Sequence, residues 1–138
     1  MHISYDAVSG KQVQTIAEAT SLGRIAVGLA TFARPEILPR ALGIDRGTAR
    51  RSSVMMRFFA AREAALGAGA VYAFRTGGDA TLWLVAQAIG DAGDALALAA
   101  AVRSRHVAPI RGAALSLAAL SGVLGAALAI RTLRSGRR

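Results

Sequence analysis

Ionisable side chains recur inside stretches that are otherwise apolar enough to lie in a lipid bilayer, and this limits what the chain can become. Residues 57–66 read RFFAAREAAL, and residues 87–94 read QAIGDAGD. A charge at the centre of a membrane-spanning helix costs about 2.5–3.5 kcal/mol on insertion scales, so such residues face a bundle interior and find partners there. The chain has 138 residues, 54% of them hydrophobic, and that is more apolar material than one soluble core of this size would bury. The expected fold class is therefore all-α, a four-transmembrane-helix bundle forming a single integral membrane domain over residues 1–138.

Spans are expected at about residues 14–33, 50–74, 80–102 and 110–132. The first uninterrupted apolar run, residues 19–33, is short for the ~20 residues a crossing needs. Its helix is therefore expected to begin near residues 11–15, with residues 1–14 at the membrane surface or loosely ordered. The opening MHISYDAVSG lacks the basic-then-apolar order of a signal peptide, so the first span is expected to be retained as an anchor. Pro35 ends that helix, because the residue before a proline is pushed away from helical dihedrals. In the basic connector that follows, Ile37, Leu38, Leu42 and Ile44 fit either a short interfacial helix or an irregular loop.

Thr48 is the expected cap of the second helix. Gly77, Gly78 and Asp79 supply a turn and a cap before the third, and Pro109 suits the first turn of the fourth. Along the fourth helix, Ala114, Ala118, Gly122, Gly125 and Ala129 make a small-residue stripe expected to pack closely on a neighbour.

Six ionisable residues fall within the spans: Arg24, Arg57 and Arg62 against Glu63, Asp91 and Asp94. Three of each sign would make a neutral buried network, leaving the whole net charge of +9 outside. Trp83 and Gln87 share a helical stripe with Asp91 and Asp94, an arrangement expected to form a polar pocket. Two readings of the cluster stay open. Arginine–carboxylate pairs fix helix register and orientation, or one carboxylate handles a proton or a polar substrate.

Sixteen of the seventeen basic residues are arginine, yet they flank apolar runs and are not interleaved with aromatics. Nucleic acid is therefore not expected as a partner, whereas the anionic lipids of a cell membrane are. The chain has no cysteine, and its two histidines, His2 and His106, lie outside the spans, so neither a haem nor a metal site is expected. No phosphate-binding loop, dinucleotide fingerprint or G-x-S-x-G elbow is present, so no catalytic residue and no cofactor is assigned. Eight basic residues fall on the side of the first and third connectors and six on the other, which leaves orientation open.

The order G-R-x-x-x-G (Gly23 to Gly28), A-R-P, A-A-R-E-A-A-L-G (Ala60 to Gly67) and D-A-G-D-A-L (Asp91 to Leu96) resembles small four-helix membrane proteins of high-GC actinobacteria. These are known only as a domain of unknown function, and they look distantly like the DoxX-type quinone-linked bundles. The resemblance covers about residues 19–133 and implies the four-span architecture and the arginine–carboxylate motif. It implies no activity and assigns no quinone-binding residue. The expected role is a non-catalytic membrane subunit or scaffold, partnered by other membrane subunits or by its own copies. The alternative is a protein that handles a small molecule, a lipid or quinone, or a proton.

Overall fold

The first helix begins earlier than its apolar run. In a computed structural model, which describes residues 5–135, α1 spans Tyr5–Ala33. The expected surface segment therefore joins the helix from Tyr5 onward. It contains no proline, and Lys11, Gln12 and Gln14 are good helix formers. His2, Gly136, Arg137 and Arg138 lie outside the described residues.

Two short helices follow, α2 (Ile37–Ala41) and α3 (Arg46–Arg51). Of the two readings of this connector, the helical one holds. Gly43 separates the two helices at φ 88°, a dihedral that favours glycine. Thr48, expected as the cap of the second long helix, lies inside α3 instead, whose cap is Asp45: its side chain accepts the Thr48 backbone N–H at 3.0 Å. The chain breaks at Ser52, whose hydroxyl donates to the Ala49 carbonyl at 3.0 Å, and α4 runs Ser53–Arg75. A turn with Gly77 at φ 69° leads to α5 (Thr81–Arg103), where Asp79 accepts the Thr81 N–H at 2.8 Å. The last helix, α6, is Pro109–Ser135. No strand occurs among the described residues.

The four long helices run up-down-up-down. Gly28 of α1 lies against Ala60 and Ala64 of α4, and Gly67 of α4 lies against Ser21 and Ile25. A Cβ at Gly28 would sit 2.7 Å from the Ala60 carbonyl oxygen, and one at Gly67 would sit 2.5 Å from that of Ser21. Glycine at these two positions is what allows the backbones to approach. The α1–α4 and α5–α6 pairs pack most extensively; α1–α6 and α4–α5 meet more sparsely.

The buried seam of each helix alternates steps of three and four, as in a coiled coil. On α1 it passes through Ala17, Ser21, Gly28 and Thr31, with Arg24 between them. On α6 it passes through Gly112, Gly122, Ala126 and Ala129. The small-residue stripe expected there is thus corrected in part: Gly122 and Ala129 pack inward, whereas Ala114, Ala118 and Gly125 are exposed.

Small and polar residues fill the interior, and large apolar ones point outward. Val27, Leu29 and Phe32 on α1, and Val54, Met55, Phe58 and Tyr72 on α4, are exposed. So are Leu82, Ile89 and Leu96 on α5 and Leu117, Leu124 and Leu128 on α6. Three helices are long and apolar enough to cross a membrane: Gly10–Ala33, Thr81–Arg103 and Pro109–Thr132. The fourth expected span, α4, is about 34 Å long at 1.5 Å per residue, enough for the ~30 Å hydrocarbon core. It falls short on apolarity because Arg57, Arg62, Glu63 and Arg75 punctuate it.

Candidate functional site

Three helices, α1, α4 and α5, bring charged and polar side chains to the middle of the bundle. Arg24 is the hub. Its Nη1 donates to Glu63 Oε2 at 2.5 Å, and its Nη2 donates to Asp91 Oδ2. Arg62 forms the outer half: its Nη2 donates to Asp94 Oδ2 at 2.6 Å and to Glu63 Oε1 at 3.3 Å. Glu63 therefore bridges both guanidiniums, one oxygen to each, while Asp91 and Asp94 each commit Oδ2. Arg24, Glu63 and Asp91 are nearly enclosed; the Arg62 and Asp94 side chains keep 38% and 31% of their surface.

Local sequence explains the placement. Glu63 lies on the seam between Ala60 and Gly67, so it points at α1. Asp91 follows Leu84 and Gln87 along the α5 seam at steps of three and four. Gly122 of α6 completes the fit, since a Cβ there would overlap Asp91 Oδ2 and lie 3.5 Å from Arg24 Nη2. Arg62 also stands 5.2 Å over the Phe59 ring, a cation–π contact. The Nε atoms of Arg24 and Arg62 are buried and have no hydrogen-bond partner.

One turn nearer the start of α5, Gln87 is buried and donates to the Leu66 carbonyl at 3.1 Å and to the Ser21 hydroxyl at 3.4 Å. Ser21 in turn donates to the Ala17 carbonyl at 2.8 Å. Gln87 thus ties α5 to both α1 and α4. Trp83, expected to join it in a polar pocket, instead packs on Gly69 and against the apolar core of Ala17, Ala73, Leu84 and Ala126. The bare backbone of Gly69 provides the berth for the indole.

Arg57 is the second correction. It is exposed and makes no ion pair among the described residues. Six residues separate it from Glu63, a rotation of about 120° away at 3.6 residues per turn. It lies off the seam and joins Arg34, Arg40 and Arg50 around an outer groove of about 750 Å³ beside α2. The only carboxylate lining that groove is Glu36, held by Arg50 at 3.4 Å.

The interior cluster is consequently not balanced. It holds two guanidiniums against three carboxylates, an excess of one negative charge.

The cluster borders an open cleft of about 990 Å³ between the α1–α4 and α5–α6 pairs. Leu38, Pro39, Leu42 and Ile44 close one end, and Val13, Leu84 and Ala129 stand towards the other. Arg24, Glu63, Gln87, Asp91 and Asp94 contribute charged and amide groups to its surface, Thr20, Ser52 and Ser121 add hydroxyls, and most of the remaining wall is apolar. Among the described residues no group of three or more His, Cys, Asp or Glu side chains is arranged to hold a metal ion.

The sequence did not mark Ser21, the close approach at Gly28 or the Glu18–Arg75 ion pair, which spans 2.9 Å between α1 and α4. The G-x-x-x-x-G spacing of Gly23 and Gly28 was visible, but which glycine met a neighbour was not. Comparison with known proteins finds no matching family model, no matching curated protein and no matching solved structure.

Proposed function

We propose that this chain is an integral protein of the cell membrane, a four-span bundle that performs no catalysis and holds a small molecule in its interior cleft. The observation that carries the reading is that cleft: about 990 Å³, apolar along its walls, with charged groups midway along its length. Ligand pockets typically enclose ~300–1,000 Å³ and combine apolar walls with a few polar groups. Asp91 lies ten residues from the start of α5, about 15 Å along the helix, which is mid-depth for a ~30 Å core.

The fourth span is α4. Its charges at mid-helix meet partners on α1 and α5, while its outer face carries Val54, Met55, Phe58 and Tyr72. A helix that neutralises its charges inward and turns large apolar groups outward suits lipid. The basic groove of Arg34, Arg40, Arg50 and Arg57 would then lie near the head groups, where it attracts anionic lipid. This architecture also agrees with the likeness to small actinobacterial four-helix membrane proteins, which remains a proposal.

A second reading, the scaffold, rests on the exposed small residues Ala114, Ala118 and Gly125 of α6, the last two along the open cleft. Small residues in a row suit close approach by a helix of another subunit or a second copy.

Native mass spectrometry of protein released from its own membranes tests the choice. The ligand reading expects a retained small-molecule mass that is lost when Ala119→Phe fills the cleft without lowering the melting temperature. Retention of protein subunits alone, with no small molecule in the wild type, would leave only the scaffold.

A further inference from the structure

We propose that the cleft takes an organic monocation with an apolar body, which neutralises the excess negative charge of the Arg24–Arg62–Glu63–Asp91–Asp94 cluster. The inference deepens the ligand reading above and rests on it.

Charge complementarity selects this occupant. The charged groups facing the cluster come from α1 (Arg24), α4 (Arg62, Glu63) and α5 (Asp91, Asp94). Along α6 no ionisable residue lies between Arg111 and Arg131. Arg57, which would have made the set neutral, stands outside at the groove beside α2. One unit of negative charge is therefore uncompensated in the middle of the bundle.

The magnitudes decide between this and the other unmet group there. A buried donor without an acceptor, such as Arg24 Nε, forfeits one hydrogen bond. An uncompensated charge at membrane depth forfeits more, because no water is there to solvate it. The uncompensated charge is thus the stronger demand, and it asks for a cation. The two aspartates that line the cleft, Asp91 and Asp94, each commit only Oδ2 to an arginine. Both border a wall that includes Val27, Leu98 and Leu115, so a compact cation with apolar substituents meets charge and surface together. A bare divalent metal fits less well, because the carboxylates do not converge into a metal-binding group.

Tetraphenylphosphonium and tetraphenylborate, nearly equal in size and shape and opposite in charge, separate the terms. Titration calorimetry of the purified protein in detergent, against matched empty micelles, is expected to show saturable binding of the phosphonium at one per chain. The borate should match the micelle blank. Asp94→Asn should lower the affinity at least tenfold, and the ion comparison in the wild type stands even if that variant does not fold. Equal or tighter binding of the borate would overturn the cationic preference while leaving a ligand cleft in place. Binding of neither ion also overturns the inference. If the wild type then retains no small-molecule mass either, the ligand reading falls with it.

Discussion

Arg24 on α1 reaches Asp91 on α5 across the bundle, and Gly122 on α6 supplies the space in which they meet. Three helices are thereby committed at one depth, and Glu63 adds the fourth. A guanidinium offers donors in a planar fork, so one side chain can orient two carboxylates from different helices. Lysine would supply the charge without the fork.

Removing the hub should be costly. Arg24→Leu strands Asp91 as a buried charge, leaves Glu63 with Arg62 alone, and is expected to destabilise the bundle by about 3–5 kcal/mol. Adding Asp91→Leu should return part of that loss. Thermal melting of the two single variants and the double variant gives the coupling, expected at about 0.5–3 kcal/mol. Strict additivity would show that the two residues do not act on one another.

Glycines on and off the seam should behave in opposite ways. At Gly67 an added methyl would sit 2.5 Å from the Ser21 carbonyl oxygen, and backbone cannot yield cheaply. Gly67→Ala is expected to cost about 1–3 kcal/mol through overpacking. Gly93 has no neighbour within 4 Å, so Gly93→Ala should instead gain up to about 1 kcal/mol from helix propensity. Melting of both in one detergent reads the contrast; equal effects would contradict the seam.

The α3 cap should be lost in acid. The Asp45 carboxyl is held below its ordinary value, first by its hydrogen bond with the Thr48 side chain and then by the Thr48 backbone N–H. A carboxylate with a depressed folded value stabilises fully above its unfolded pKa, about 3.9. That contribution disappears as pH falls through the lower folded value. The Thr48 amide resonance should therefore be constant from pH 8 to pH 5 and move only in stronger acid. In Asp45→Asn the acid transition should be absent. A Thr48 transition near neutral pH would contradict the assignment.

Much of this was legible because charges inside apolar runs must be neutralised, which marked Arg24, Arg62, Glu63, Asp91 and Asp94 as interior residues. Their pairing was not legible, since contacts such as Arg24 to Asp91 join residues far apart in sequence. Arg57 misled because it sits at the margin of the face that also holds Ala60 and Gly67, and only the position of α1 decides which part of that face is covered. The break at Ser52 carries neither proline nor glycine to announce it. On α6, alanine and glycine occur on several faces, so composition could not choose the seam. The cleft comes from the sparser packing of α1 on α6 and of α4 on α5, which no local pattern encodes.

The placement of α4 tests the account most directly, because the cluster lies at membrane depth only if α4 crosses beside α1. The chain has no cysteine, so single substitutions at exposed Ala41, Gly78 and Ser104 can be labelled cleanly. With impermeant maleimide on sealed vesicles, Ala41→Cys and Ser104→Cys should label from one face and Gly78→Cys from the opposite face. Labelling of Ala41→Cys and Gly78→Cys from the same face would show that α4 does not cross, and would contradict the buried ionic bundle.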